Sequence, residues 1–341
     1  MSDLYIEDST WLGVMLYSNA TWWDHKNMLN QTIFYIQLGW TKLSQLDIQY
    51  LSWVLWVIYP IIISFLLPLI ILVFLYASVL FLLVYRQRHR LQEAYARDFW
   101  DGARKTLAAL WLGQARIWHG FEVHGLDKIP EGPALLVYYH GAIPIDFYYV
   151  LATCILEKGR QIRVVGDRFL LHVPGWRLLM EVFHVTPGTV QSCVNVLNDG
   201  HLLSISPGGV REALFGDEYY RIMWSNRVGF AKVALQANVP VVPMFTQNCR
   251  EAFRTPKLGR SLLRKIYEWT RLPIVPIYGF FPVKMRSYLG EPIYPQPGIT
   301  PELFSQQVQN EIQKLIDKHQ TVPGNIVRAL LERIPCQRKT D

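Results

Sequence analysis

The sequence is short of everything that would staple the fold covalently. It holds four cysteines in 341 residues, Cys154, Cys193, Cys249 and Cys336. No two have the C-x-x-C spacing of a zinc or redox pair, so no disulfide framework or zinc site is read from them, and free thiols fit a reducing compartment. No Gly-x-Ser-x-Gly elbow occurs, which argues against the hydrolases built on that turn. The N-terminus lacks the basic start and short apolar core of a secretory leader. There is no internal repeat and no low-complexity stretch. No basic cluster is interleaved with aromatics beside a reader motif, so nucleic acid is not an expected partner. Five histidines, His119, His124, His172, His184 and His201, lie scattered without partners at metal-ligand spacing, and no metal site is expected. Finally, no charged residue stands between Tyr50 and Tyr85.

What is present starts with that run. Thirty-six uncharged residues would make a helix of roughly 54 Å, against about 30 Å for a bilayer core. Pro60 and Pro68 offer break points. The expectation is a transmembrane segment over 50–85 folded as a hairpin of two short helices, with one long tilted pass as the alternative. Arg86, Arg88, His89 and Arg90 follow it directly and place that flank in the cytosol. Residues 1–49, with Trp11, Trp22, Trp23 and Trp40, read as an interfacial arm. The sequons at Asn19 and Asn30 are usable only in the single-pass case. Charge is split along the chain. Before Tyr50 five acidic residues face two basic ones; from Arg86 onward 32 Lys and Arg face 22 Asp and Glu. A basic soluble part fits an anionic membrane surface or a phosphate-bearing ligand.

Beyond the run, Leu91 to Trp118 has the apolar spacing of an amphipathic helix, expected as a connector over 86–120. Short apolar strands then alternate with helices from 121 to 341. Strands are expected at 121–125, Ala134 to Tyr139, Arg163 to Gly166, Leu202 to Ser206, Val239 to Phe245 and Val283 to Leu289. Helices are expected at Val190 to Asp199, Val228 to Ala237, Leu258 to Arg271 and Pro301 to His319. The alternation predicts an α/β domain whose sheet is largely parallel and flanked by helices.

Three clusters carry chemical potential. Tyr138-Tyr139-His140-Gly141-Ala142-Ile143-Pro144-Ile145-Asp146 puts a histidine at a strand end and a carboxylate six positions on. On one regular helix the two would stand about 120° apart. They meet only if His140 sits in the turn and Asp146 in the opening turn of the next helix, which Pro144 can start. The imidazole would be a general base and the carboxylate its orienting partner. Ser206-Pro207-Gly208-Gly209-Val210-Arg211-Glu212 reads as a turn whose amides face a ligand, with Arg211 able to fork onto a phosphate or carboxylate. Val239-Pro240-Val241-Val242-Pro243 reads as a buried strand whose prolines suit an edge or a pocket wall.

In that order, over Arg116 to Pro292, the clusters resemble the glycerolipid acyltransferase family. Val123-His124-Gly125-Leu126-Asp127-Lys128-Ile129-Pro130 and Leu289-Gly290-Glu291-Pro292-Ile293 add to the likeness. The resemblance implies His140 as catalytic base, Asp146 as its orienting acid, and Gly208, Gly209, Arg211 and Glu212 as the acceptor-binding motif. The reaction implied is transfer of an acyl group from acyl-CoA, a co-substrate, with no cofactor and no metal. Asp167 to Trp176 falls where a further substrate block lies in the family, but it matches poorly. Two departures stand out. Five residues separate His from Asp where four are usual, and Gly-Gly-Val-Arg replaces the common Glu-Gly-Thr-Arg. The second is more like the branch that acylates mono- and diacylglycerol, implying a triacylglycerol-forming enzyme in the endoplasmic reticulum membrane, its catalytic domain in the cytosol. A lysophospholipid or glycerol-phosphate acyltransferase and a non-catalytic lipid-binding scaffold stay open, as does the oligomeric state.

Overall fold

The computed structural model describes residues 31, 33–35, 37, 41, 48–89, 100–167, 170, 173–270 and 272–334. Most of the expected arm, both sequon asparagines and the residues beyond 334 lie outside the described residues. The chain divides into two compact units, residues 1–62 and 63–341.

Helix α1 is Ile48–Leu66 and α2 is Pro68–His89. Two helices form as expected, with the break at Pro68, while Pro60 sits inside α1. The reversal of a hairpin does not form between them. Leu67 alone joins them, and its amide bonds the Ile63 carbonyl at 2.9 Å, as in a continuous helix. A reversal between antiparallel helices uses a loop of two to five residues. By length and composition Ser52–Tyr85 is one candidate span of 34 residues. At 1.5 Å per residue that is roughly 51 Å, the length of a strongly tilted single pass.

Helix α2 is apolar all round, and its two faces have different fates. Ile71, Leu75, Val79 and Leu82, spaced by three and four, are buried against the rest of their unit. Val73, Tyr76, Leu80 and Val84, at the same spacing, are exposed. The helix thus keeps one apolar face for protein and leaves another exposed, which is compatible with membrane association.

Helix α3, Asp101–His119, was expected as a connector. It belongs to the core instead: Ala103, Leu107, Ala108, Trp111, Leu112 and Ala115 are buried in the main hydrophobic cluster. Gly120 ends it in the left-handed region.

The remaining strands are β1 (Glu122–His124), β2 (Ala134–Tyr138), β3 (Ile162–Gly166), β4 (Val185–Pro187), β5 (Leu202–Ile205), β6 (Val241–Gln247) and β9 (Arg286–Leu289), with β7 (Phe253–Arg254) and β8 (Tyr278–Gly279) in a separate pair. The large sheet runs β1-β9-β6-β2-β5-β3-β4. Every pairing in it is parallel except β6 with β9. The mixed, mostly parallel α/β sheet read from the alternation is therefore present. The helices between strands are α4 (Ile145–Glu157), α5 (Arg177–Val182), α6 (Val190–Asn198), α7 (Gly209–Phe215), α8 (Gly229–Ala237), α9 (Cys249–Ala252) and α10 (Arg260–Thr270), and α11 (Pro301–His319) and α12 (Ile326–Leu331) follow the last strand. Thr300 and Pro301 start α11 as the sequence predicts, the Thr300 hydroxyl accepting the Leu303 amide.

One strand is placed differently. β6 is buried along all seven residues, as read, but it lies between β9 and β2 rather than at an edge. Pro243 is tolerated there because a strand alternates its amides. The Val241 amide bonds Ile293, so the nitrogen two residues on faces that same side, beyond the last β9 partner, Leu289.

Candidate active site

Ligands of open α/β sheets bind beyond the carboxyl ends of the strands. Here β2 delivers His140 and β5 delivers Ser206 to Gly209 at that edge, side by side, since the two strands pair in parallel. A cavity of about 960 Å³ opens in front of them. His140, Ser206 and Gly209 line it, with Leu69, Leu72 and Leu75 of α2 as one wall and Phe147 and Leu151 of α4 as another. The apolar span therefore forms part of the same chamber as the histidine. Asp167, Leu170 and Trp176 line it too, in the stretch whose family match was poor.

The histidine is held from behind. Its backbone amide donates to Glu212 Oε2 at 2.9 Å. The other oxygen of Glu212 accepts the Met223 amide at 2.9 Å. The His140 carbonyl accepts Nη2 of Arg250 at 2.8 Å. Arg250 also donates to the Tyr139 hydroxyl at 3.0 Å, to the Ala213 carbonyl at 2.9 Å and to the Glu212 carbonyl. The guanidinium is buried and ties the end of β2 to helix α7. Sequence reading missed it: Arg250 stands 110 residues from His140. A charged run, Arg250-Glu251, directly after a fully buried strand was the available signal.

The histidine ring is oriented by its own neighbour. Nδ1 lies 2.6 Å from the Gly141 carbonyl. A carbonyl oxygen only accepts, so Nδ1 carries the proton and Nε2 is left with its lone pair. Tyr138 stacks beside the ring at 6.0 Å. Burial holds the imidazole down to about 4; the Gly141 bond opposes that and the Arg250 charge adds to it. At neutral pH the ring is an uncharged acceptor.

Asp146 lies in the first turn of α4, as expected, and only 1% of it is exposed. The structure does not join it to His140: among the described residues neither carboxylate oxygen has a hydrogen-bond partner of ordinary geometry. Burial pushes it up to about 6, while the nearby Thr246 hydroxyl, the Phe147 amide and Arg250 pull the other way. The Thr246 hydroxyl itself pairs with Ser287 at 2.7 Å. Gly141 is backed by Cys249: a Cβ built there would lie 3.4 Å from the Cys249 Cβ and 3.6 Å from its Sγ, an ordinary contact.

The Gly-Gly-Val-Arg-Glu motif divides. Gly209 lines the cavity in a left-handed conformation, φ 50°. Gly208 serves packing, since a Cβ there would meet Cδ of Glu212 at 2.3 Å. Glu212 faces the backbone of His140 rather than the cavity. Arg211 is half-buried and does not line the chamber. The cation that does is Arg227, whose Nη1 donates to the Pro207 and Gly208 carbonyls at 3.0 and 2.9 Å. Among the described residues no cluster of three or more His, Cys, Asp or Glu could hold a metal ion.

Known proteins resemble this chain. A family model described as Acyltransferase matches residues 120–247, the stretch from β1 through β6. The "DGAT1/2-independent enzyme synthesizing storage lipids" of Homo sapiens is 51% identical over 304 residues, covering 88% of this chain and 93% of that protein. The Bos taurus protein of the same description is 53% identical over 289 residues, covering 84% and 86%. Among solved structures, the 1-acyl-sn-glycerophosphate (LPA) acyltransferase PlsC from Thermotoga maritima overlays with a TM-score of 0.47 at 15% identity, covering 72% of this chain and 96% of that one.

Proposed function

The chain belongs to the glycerolipid acyltransferase family and is an acyltransferase, and from that premise we propose that it moves an acyl group from acyl-CoA to the free hydroxyl of a mono- or diacylglycerol in a membrane. The observation that carries this reading is the cavity: a neutral imidazole with a bare Nε2 faces a largely apolar chamber, one wall of which is the apolar helix α2. A lipid hydroxyl entering there meets a proton acceptor. Its oxygen attacks the thioester carbonyl carbon as the proton passes to Nε2. The C–S bond then breaks, and the coenzyme A thiolate leaves with that proton. Loss of one proton-transfer group costs about 10²–10⁴-fold in rate.

For Asp146 to act, the ring must turn so that Nδ1 leaves the Gly141 carbonyl for the carboxylate. A buried anion without a bond would stabilise the imidazolium that forms. The relatives' description as storage-lipid enzymes favours a neutral acceptor, and the positive flank after Tyr85 favours a cytosolic catalytic domain on the endoplasmic reticulum. Arg227 on the cavity wall favours the second reading, a phosphate-bearing acceptor.

The test uses purified full-length protein with labelled acyl-CoA. Diacylglycerol and lysophosphatidate compete as acceptors, and His140→Ala is run beside wild type. Triacylglycerol as the product, lost in the variant, is the expected result. Lysophosphatidate as the preferred acceptor selects the second reading. Undiminished transfer by the variant removes the proposed base.

A further inference from the structure

Helix α10 carries a second apolar surface that is left exposed among the described residues. Its inner side is spent: Tyr267 is buried and packs with Leu263, Leu214 and Phe215. A separate stripe, Leu262, Ile266 and Trp269, spaced by four and three, points away from that contact, and Leu258 stands in the turn just before the helix. Leu258 is 91% exposed, Trp269 87% and Leu262 62%. Leu272 and Ile274 extend the stripe beyond the helix and are exposed as well. Single exposed apolar residues are ordinary, but a continuous row that ends on a tryptophan marks an interaction surface.

Position and charge identify the partner. The chain after α10 packs against the apolar span: the Tyr278 ring lies 5.5 Å from Phe65, and Pro273, Val275 and Ile277 share the cavity wall with Pro68, Leu69 and Leu72. The stripe is thus next door to the helix proposed to enter the bilayer. From 257 to 271 the sequence holds Lys257, Arg260, Arg264, Lys265 and Arg271 against Glu268; Lys257 and Arg260 also pair with Glu218 and Asp217 from outside the segment. Lys265 is exposed beside the stripe, and Arg264 pairs with Glu268 on the polar side at 3.0 Å. Apolar residues flanked by cations describe a helix lying in a headgroup region, its apolar face sunk about 5–10 Å.

We propose that α10, with Leu272 and Ile274, docks in the cytosolic leaflet of an anionic phospholipid bilayer as a second anchorage. This rests on the membrane reading of the apolar span. It would hold the cavity wall formed by Pro273, Val275 and Ile277 at leaflet depth, where a lipid acceptor resides.

The test uses the full chain in vesicles containing phosphatidylserine, in a Cys336→Ser background. Single fluorophores are attached at Leu262→Cys, Trp269→Cys, Glu268→Cys and, on the exposed face of α2, Val73→Cys. Quenching is read with lipid-borne nitroxides and with aqueous iodide. The expected result is lipid-borne quenching and iodide protection at 262, 269 and 73, with iodide access at 268. Labels at 262 and 269 open to iodide while 73 stays in lipid would overturn the docking and leave the membrane reading intact. Protection from both quenchers at 262 and 269 would mean that protein covers the stripe, which also overturns it. A label at 73 open to iodide takes down the membrane reading and the docking together. Phosphatidylcholine alone should shift the 269 label towards water; unchanged depth would overturn the role given to the cations.

Discussion

Glu212 and Asp146 are both buried carboxylates, and each sits in the first turn of a helix that follows a strand at the same sheet edge. Glu212 is fully employed, one oxygen on the His140 amide and the other on the Met223 amide. Asp146 has neither oxygen engaged among the described residues. Burial pushes both upward; the Met223 and His140 amides with the Arg250 and Arg227 charges oppose it at Glu212, and the Thr246 hydroxyl and the Phe147 amide with Arg250 oppose it at Asp146. A carboxylate that holds backbone is structural. One whose nearby donors, the Thr246 hydroxyl and the Phe147 amide, fall short of ordinary hydrogen-bond geometry is a cost to the fold, and such costs gather where a charge is about to form.

The largest effect that would break this contrast lies behind His140. Arg250→Leu removes a buried cation that bonds Tyr139, His140, Glu212 and Ala213 at once. A loss of about 3–5 kcal/mol is expected, seen as a lower midpoint of thermal or denaturant unfolding. Arg250→Lys should rescue little, since an ammonium cannot fork across acceptors in that plane. A stable Arg250→Leu would mean that the clamp is ornamental.

Asp146→Asn probes the other side. Stability should hold or rise, because an uncompensated buried charge is removed. Acyl transfer should fall about a hundredfold or more if the carboxylate stabilises the imidazolium. The pH profile separates this from a packing defect. Asp146 is pushed up to about 6 and His140 down to about 4. The active form needs Asp146 ionised and His140 neutral, so activity falls as pH drops through about 6. In the variant that acid limb should move towards 4. An unchanged rate and limb would show that the Gly141 carbonyl orients the ring alone.

What the sequence revealed of this site follows from distance along the chain. The strand that ends at His140, the proline before α4 and the glycines after β5 were readable because each depends on residues within one turn of itself. Pro144 and Gly209 announce their own backbone. The role of Glu212 was not readable: it sits in a motif associated with substrate, yet its partner amide is 72 residues away. Nor was Arg250, whose bonds reach across the sheet. The apolar run announced itself through missing charge, but that composition could not say that Ile71, Leu75, Val79 and Leu82 face protein while Val73 and Leu80 face outward. The hairpin expectation came from arithmetic on length. Leu67 answers it with one helical hydrogen bond that no composition predicts.

Glu212→Gln sharpens the comparison at smaller scale. The carboxamide keeps the shape and one acceptor, but its NH2 cannot receive the second backbone N–H. One buried amide, at His140 or Met223, then goes unpaired, at a cost of about 1–3 kcal/mol. If the ring is displaced with it, the maximal rate falls while acyl-CoA binding is kept, which single-turnover measurements resolve.

His119 is the control, a buried group with an unpartnered atom that lies away from the cavity. Its Nδ1 is 3.3 Å from the Val283 carbonyl, and Nε2 has no partner among the described residues. Burial lowers it to about 3, with the Arg333 charge adding to the fall and the Val283 bond opposing it. The folded group therefore stays neutral where the unfolded one, near 6.5, takes a proton. Its contribution is present above pH 6.5 and is lost as pH falls from there towards 3. One proton of difference makes the acid slope steeper by about 1.4 kcal/mol per pH unit. His119→Phe keeps the ring contacts with Tyr149 and Phe280, so unfolding followed between pH 4 and 6 should show a shallower slope and undiminished acyl transfer. Lost activity in this variant would mean that an unpartnered buried atom marks nothing particular about Asp146, and the contrast with Glu212 would have to rest on the pH profile alone.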